Sequence, residues 1–143
     1  VGTMQTALLM DLHLILREGA RVLFGLRCNT GFADGLYHLP AGRLEDGETI
    51  VAGIIREAKE ELGIEIAAAD LALVHAMHHR SGRLALFFEA RAWSGSIVNA
   101  EPDKCDRLDW MSLEELPDNT VAYAREALRL IGNGHTAGTF GWD

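Results

Sequence analysis

Three glutamates near the middle of the chain are spaced so that their carboxylates could act together. Glu57, Glu60 and Glu61 fall at i, i+3 and i+4, which places them over one flank of a helix. Like charges at this spacing destabilise a helix, and acidic groups in its last turn also oppose the helix dipole. Two interpretations stay open: Arg56 and Lys59 pair with the glutamates on a solvated face, or carboxylate oxygens hold a divalent cation.

A predicted helix from Thr49 to Gly63 would position these carboxylates. Thr49 can cap its first turn, and Gly63 can end it. Its apolar residues recur at helical spacing and form one stripe, made of Val51, Ile54, Ile55, Ala58 and Leu62. The helix is therefore expected to pack this stripe on a sheet and to keep the glutamates off it.

Strands and one further helix are predicted around this element. In order, the predicted elements are a strand (8–16), its hairpin return (21–26), a second hairpin (71–79 and 83–93), a short strand (105–110) and a closing helix (120–131). Because only two helices stand among several strands, the predicted fold class is α/β, an α+β mixed sheet with helices on its faces.

The length of 143 residues predicts one domain, 1–143, with a core of its own. Residues 1–5 are expected to be disordered or a leftover of cloning, and residues 132–143 a loose glycine-rich tail. Phe140 and Trp142 in that tail could dock on the body or on a second subunit, so a homodimer is one expectation. The start of the chain has neither the charge pattern of a signal peptide nor an apolar run long enough to span a membrane.

The charge balance excludes several function classes. Thirteen basic residues stand against 21 acidic ones, so the net charge is −8. Wholesale binding to a nucleic-acid backbone or to anionic lipid would run against this field, and a polyanionic substrate would need a cation to mediate. Cys28 and Cys105 are far apart and form no C-x-x-C pair, which predicts neither a disulfide framework nor a zinc site and favours a cytoplasmic protein.

Residues 42–64, GRLEDGETIVAGIIREAKEELGI, resemble the Nudix box G-x5-E-x7-R-E-U-x-E-E-x-G-U, where U is a bulky aliphatic residue. Every fixed position is filled, although Ala58 is small for its aliphatic slot. The resemblance implies a Nudix-type α/β/α sandwich. It also implies a hydrolase of diphosphate bonds that uses Mg²⁺, with Mn²⁺ as a substitute. This cation would offset the repulsion between the negatively charged chain and a polyanionic substrate.

The same resemblance implies roles for single residues of the box and of the position before it. The implied roles are metal ligands (Glu60 and Glu61), a ligand or the base that activates water (Glu57), the residue that orients the glutamates (Arg56, through Glu48), and a backbone carbonyl ligand (Ala41, where many relatives have glycine).

Two further stretches, 37–49 and 101–113, resemble the MutT-like branch of the Nudix family, which acts on nucleoside triphosphates. This implies that Glu101 approaches the metal, with Asp103 and Glu89 as the next candidates. Arg27 would bind the phosphates, or remain solvated at the end of its strand. Asn119 would read a base edge, or cap the closing helix.

A group of histidines on one predicted strand has two interpretations. His75 and His79 are too far apart on a strand to chelate one ion, and His78 faces the other way. His78, His79 or Phe88 would line a base pocket, or else occupy ordinary positions in the sheet.

The sequence thus predicts Mg²⁺-dependent hydrolysis of a nucleoside or deoxynucleoside triphosphate to the monophosphate and pyrophosphate. The alternatives are hydrolysis of another nucleoside diphosphate linked to a moiety X, such as a nucleotide sugar, and a catalytically idle domain that binds nucleotide as a sensor. Nucleic acid and membrane are not expected as partners, although a capped or triphosphate RNA end is chemically a diphosphate and stays a remote option.

Overall fold

The computed structural model describes residues 3–142, which form two sheets and two helices. The first sheet is mixed and has the strand order β5-β1-β7-β6-β9, with β1 (Leu9–Ile15), β5 (Ala41–Arg43), β6 (Leu71–His79), β7 (Arg83–Ala90) and β9 (Ala137–Phe140). The second sheet is antiparallel around its central strand β3, with β2 (Arg17–Glu18), β3 (Arg21–Arg27), β4 (Tyr37–His38) and β8 (Cys105–Ser112). The helices are α1 (Ile50–Leu62) and α2 (Ala122–Gly132), and two short 3₁₀ turns lie at Ala68–Asp70 and Leu113–Glu115.

Helix α1 has the bounds and the caps that its sequence predicts. The Thr49 side chain accepts a hydrogen bond from the Ala52 amide at 3.1 Å, and Gly63 ends the helix with φ 69°. Ile54, Ala58 and Leu62 are fully buried in a cluster with residues of β1 and β7. The helix therefore packs its apolar stripe on the first sheet and leaves its acidic flank free.

A second apolar cluster lies under α2, so the first sheet is covered on both faces. It contains Phe24, Leu39, Met77, Phe87 and Leu128. This arrangement confirms the predicted α/β class with a mixed sheet.

The predicted hairpin between residues 8–16 and 21–26 is wrong. Strand β1 instead pairs in parallel with β7 and antiparallel with β5, and the hairpin with β3 is formed by the two-residue β2 alone. The chain crosses from one sheet to the other after Ile15. The alternating pattern predicted the strand correctly, but period-two alternation specifies which face a residue occupies and not which strand lies beside it.

The C-terminal residues are also more ordered than predicted. Residues 137–140 add β9 in parallel to β6, and a Cβ at Gly138 would lie only 2.6 Å from a Leu130 methyl carbon. The Trp142 indole donates to the His78 carbonyl at 3.0 Å, so this aromatic residue docks on the body. The loose-tail prediction fails because glycine lets the strand approach closely, which a local count of glycines does not reveal.

The start of the chain lies partly outside the described residues, so the expectation for residues 1–5 can be compared only from residue 3 onward. Residues 3–8 are without regular secondary structure, and residues 3–5 are exposed. Between residues 3 and 142, no helix has the length and apolar character that crossing a membrane requires.

Candidate active site

A cavity of about 290 Å³ lies beside the acidic flank of α1. We call it the carboxylate cavity, because five glutamates line it: Glu45, Glu57, Glu60, Glu61 and Glu101. Ala41 and Gly42 of β5 contribute backbone to its wall, and Arg27, at the end of β3, reaches it from the second sheet. The structure therefore brings together residues from α1, both sheets and the loop before β8.

Arg56 organises the acidic residues by hydrogen-bonding three of them at once, and its Nε also lies 3.7 Å from the Glu45 carboxylate. Its Nε and Nη2 donate to the two carboxylate oxygens of Glu48 at 3.0 and 2.7 Å. Its Nη1 donates to Glu57 at 2.7 Å and to Glu60 at 3.1 Å. This fork lowers the pKa of Glu48 to about 2 and raises the pKa of Arg56. The predicted contact between Arg56 and Glu48 is present, and the guanidinium holds the glutamates as one set.

Glu61 has an unsatisfied carboxylate in this cavity. Its Oε2 is buried and has no hydrogen-bond partner. Burial raises the pKa of Glu61 well above its usual range, the charges of Glu57 and Glu101 raise it further, and the Ala41 amide and Arg27 oppose the shift. Burial also raises the pKa of Glu57, against the effect of Arg56. A cluster that disfavours its own negative charge is suited to receive a cation.

Gly42 packs directly against one of these carboxylates. A Cβ at this position would lie 2.0 Å from both Cδ and Oε1 of Glu57. The glycine is therefore required for space, because any side chain here would displace the Glu57 carboxylate.

A second cavity, of about 480 Å³, adjoins the first and shares Arg27, Thr30, His38, Ala41 and Gly42 with it. We call it the histidine cavity, because His13, His38 and His79 line it beside Tyr123. Its charged lining residues are Arg27, Arg43, Arg83 and Asp11. Acidic side chains therefore predominate in the carboxylate cavity and basic side chains in the histidine cavity.

Two buried histidines in this second cavity meet at one hydroxyl group. The Tyr123 oxygen lies 2.7 Å from His13 Nε2 and 2.9 Å from His38 Nε2. Burial lowers the pKa of His13 to about 4 and that of His38 well below its usual range. Both rings are therefore neutral at pH 7.

An aromatic ring stands exposed beside the arginine that the two cavities share. Arg27 donates to the Phe32 carbonyl at 2.8 Å and to the Thr30 hydroxyl at 3.0 Å, and its guanidinium lies 5.5 Å from the centre of the Phe32 ring. The Phe32 side chain is 59% exposed. None of the described ion pairs involves Arg27, so its charge is available to a ligand.

Comparison with known proteins identifies the family. Residues 11–131 match the NUDIX domain model. The chain belongs to the Nudix family of hydrolases. Among its Nudix relatives, an NAD-capped RNA hydrolase of Pseudomonas aeruginosa, NudC, is 36% identical over 87 residues, which cover 60% of this chain and 30% of the relative. The mouse oxidized purine nucleoside triphosphate hydrolase is 27% identical over 123 residues, covering 80% of this chain and 72% of that protein.

The fold agrees with this assignment. A crystal structure of a MutT Nudix hydrolase from Burkholderia pseudomallei superposes with a TM-score of 0.75 at 27% identity, covering 85% of this chain and 95% of that one. The chain spans only 29% to 30% of the length of the first curated relatives that it matches.

The residues predicted from the Nudix box converge, but some predicted from outside the box do not. Glu101 and Arg27 line the carboxylate cavity, whereas Glu89 pairs with Arg17 away from it and Asp103 lines neither cavity. The Asn119 side chain donates to the Gly35 carbonyl at 3.1 Å.

Asn119 therefore neither lines the described cavities nor caps α2, which begins after Val121 without a side-chain cap. His79 on β6 lines the histidine cavity, the His78 ring lies tilted against Trp142 with 4.8 Å between ring centres, and Phe88 on β7 is buried in the core.

Sequence reasoning missed His13, His38 and Tyr123. The signal that could have found two of them is a histidine interrupting an apolar strand and another beside the loop that leads into the box. Tyr123 gave no such signal, because an aromatic residue on the inner face of a helix is ordinarily part of the core.

Proposed function

We propose that this Nudix chain hydrolyses a nucleoside or deoxynucleoside triphosphate to the monophosphate and pyrophosphate, in a reaction that depends on Mg²⁺. The observation that carries the proposal is the buried, unpartnered Oε2 of Glu61 among further glutamates in one cavity. The mouse relative, by its name, hydrolyses oxidized purine nucleoside triphosphates. That name supports nucleoside triphosphates as the substrate class. The identity of the base is what the substrate panel tests.

The donor set fits a hard divalent cation. Carboxylate oxygens of Glu57, Glu60, Glu61 and Glu101, with the carbonyl of Ala41, would hold Mg²⁺, or Mn²⁺ in its place. Among the described residues, no three acidic, histidine or cysteine side chains yet stand close enough to share an ion, and Glu57 and Glu60 instead contact Arg56. A bound cation would neutralise charge on the phosphate oxygens and favour attack by water.

The remaining chemistry falls to side chains of this chain. Water attacks one phosphorus of the anhydride, the bridging oxygen leaves with the other phosphoryl group, and Glu57, whose pKa is raised by burial, accepts the proton of the water. Arg56 keeps Glu57 oriented through its hydrogen bond at 2.7 Å. Arg27, which is free of carboxylate partners in the described ion pairs, binds the phosphates.

A second candidate is hydrolysis of another nucleoside diphosphate linked to a moiety X. The histidine cavity has room for it, because a space of about 480 Å³ beside the glutamates accommodates a base or a different group. The relative NudC is named for NAD-capped RNA, so a capped RNA end belongs to the same test. The complete set of glutamates argues against an idle nucleotide sensor.

We also propose that residues 1–143 form one cytoplasmic domain and that two copies associate as a homodimer. The Nudix match over residues 11–131 supports the single domain. Light scattering on the purified chain tests the dimer, and a monomer at assay concentration would refute it.

The test of function is release of pyrophosphate or phosphate from a panel of substrates. The panel holds ribo-, deoxy- and oxidised nucleoside triphosphates, nucleotide sugars and an NAD-capped RNA, each with Mg²⁺, with Mn²⁺ and with EDTA. We expect chelator-sensitive pyrophosphate release from triphosphates. Cleavage of nucleotide sugars or capped RNA alone would favour the second candidate, and binding without turnover on every substrate would favour a sensor.

A further inference from the structure

One of the proposed metal ligands, Glu101, lies on irregular chain and not on a helix. Helix α1 fixes the relative positions of Glu57, Glu60 and Glu61, whereas residues 95–101 contain neither helix nor strand. A ligand on such a segment needs contacts of its own to hold it in place against the ligands on the helix. The hydrogen bonds around Glu101 therefore bear directly on the proposed metal site.

Backbone hydrogen bonds tie this segment to the C-terminal end of α1. The last carbonyls of a helix have no partner within the helix itself. Here the Val98 amide donates to the Leu62 carbonyl at 3.0 Å. The Ala100 amide donates to the Glu61 carbonyl, also at 3.0 Å. The residue before Glu101 is thus held against the backbone of Glu61, and both glutamates line the carboxylate cavity.

The Asn99 side chain closes the turn that leads from Glu101 into β8. Its Nδ2 donates to the Cys105 carbonyl at 2.7 Å, and its Oδ1 accepts from the Glu101 amide at 3.3 Å. Because a backbone carbonyl can only accept, Nδ2 must face Cys105, and this leaves Oδ1 for the Glu101 amide. The Glu101 carbonyl also accepts from the amides of Lys104 and Cys105, each at 2.9 Å. One side chain therefore joins both ends of the turn.

Asn99 lines neither of the described cavities. Its amide group is engaged by the two contacts with the turn, so an effect on a bound cation has to pass through Glu101. We propose that Asn99 is a positioning residue that holds the Glu101 carboxylate beside Glu61, where the two can share a divalent cation. The inference rests on the proposed function, because that function takes Glu101 as a metal ligand.

The direct test is the affinity of the protein for Mn²⁺ in the absence of substrate, measured by electron paramagnetic resonance of the unbound ion. Asn99→Ala removes both side-chain hydrogen bonds. We expect it to raise the Kd for Mn²⁺ about tenfold, because loss of a group that orients a metal ligand costs about 10- to 100-fold in affinity or activity. On the best triphosphate of the panel, the Mg²⁺ concentration that gives the half-maximal rate should rise by a similar factor.

Asn133→Ala is the matched control. The Asn133 side chain is exposed and lines neither described cavity, so its loss should leave the Kd for Mn²⁺ and the Mg²⁺ requirement unchanged. An unchanged Kd in Asn99→Ala, or an equal rise in both variants, overturns the inference.

A double-mutant cycle tests whether Asn99 acts through Glu101. Glu101→Gln removes the charge of the ligand and should by itself weaken Mn²⁺ binding. In that background, we expect Asn99→Ala to change the Kd by less than about twofold, because the carboxylate that Asn99 positions is already gone. A tenfold loss in both backgrounds would assign Asn99 to the fold and overturn the positioning role.

The outcomes distinguish this inference from the proposed function. Turnover and Mn²⁺ binding in the unmodified protein, with the same Kd in Asn99→Ala, refute the inference alone. Absence of both Mn²⁺ binding and turnover in the unmodified protein refutes the proposed function and the inference together.

If Asn99→Ala does not fold, Asn99→Asp takes its place. The aspartate still accepts from the Glu101 amide but cannot donate to the Cys105 carbonyl. Its added negative charge would by itself tighten the binding of a cation. Weaker Mn²⁺ binding therefore supports the positioning role, and tighter or unchanged binding overturns it.

Discussion

Gly42→Ala is expected to abolish most of the activity while leaving the fold intact. The added Cβ would lie 2.0 Å from the Glu57 carboxylate, and ordinary contact needs at least 3.4 Å, so the carboxylate must move by about 1.4 Å. Misplacing a reacting group by about 1 Å can cost about 100-fold in rate. Gly42 has no left-handed backbone angle, so alanine adds no backbone strain and the clash meets only the end of a flexible side chain.

The assay measures kcat on the best triphosphate of the panel and the midpoint of thermal unfolding on the same preparation. We expect kcat to fall about 100-fold or more and Tm to change by only a few degrees. Gly132→Ala is the matched control, because a Cβ there meets nothing within 4 Å, and it should keep full activity. A fully active Gly42→Ala protein would refute the placement of Glu57 in the reaction, and a collapse of Tm would show that Gly42 serves the fold instead.

Three further predictions concern the charges of the site and the buried histidines. Glu61→Gln should lower kcat by orders of magnitude while Tm stays level or rises, because the change replaces a buried carboxylate whose Oε2 has no hydrogen-bond partner; a marked fall in Tm would contradict this reading. Arg56→Lys should lower kcat at least about tenfold, since one ammonium cannot reproduce the two-pronged contact with Glu48; wild-type kcat would show that this contact is dispensable. Because burial lowers the pKa of His13 to about 4 and that of His38 well below normal, the unfolded chain binds protons first as pH falls below about 6.5. Stability measured by urea unfolding should therefore drop between pH 6.5 and 4, by about 3 kcal/mol from His13 alone, and a constant midpoint over that range would contradict the burial argument.

The helix that carries the glutamates could be predicted because its signals are local. Thr49, Gly63 and the apolar stripe act within the helix itself, and each is found where the sequence places it. The pairing of β1 with β7 joins residues more than 70 positions apart, for example Leu14 and Phe88, and the sequence alone carries no signal for that choice. The same reason explains β9, whose place beside β6 depends on the space that Gly138 leaves open.

The residues of the candidate site also fall into a group that local spacing predicts and a group that only the folded chain brings together. Glu60 and Glu61 follow Glu57 by three and four positions, so the convergence of these three glutamates follows from helix geometry. His13, His38 and Tyr123 come from three elements that meet only in the folded chain, and each alone resembles an ordinary core residue. Asn119 shows the converse error, because a polar residue before a helix is a credible cap until the backbone places its amide on the Gly35 carbonyl instead.

On the proposed function, the distribution of charge between the two cavities would give a bound nucleotide a direction. A chain of net charge −8 would repel a polyphosphate, and the carboxylate cavity concentrates that repulsion unless a divalent cation is bound. The histidine cavity has three arginines and one aspartate, and Asp11 is already held by Arg83 through contacts of 2.6 and 2.7 Å. Arg27 lies in both linings, so the phosphates of the proposed substrate would contact it where the two cavities adjoin. On the proposed function, a nucleotide bound with its anhydride at the metal has phosphates within reach of Arg27, whereas the reversed orientation would place an uncharged base among five carboxylates and leave the bound cation without an anion.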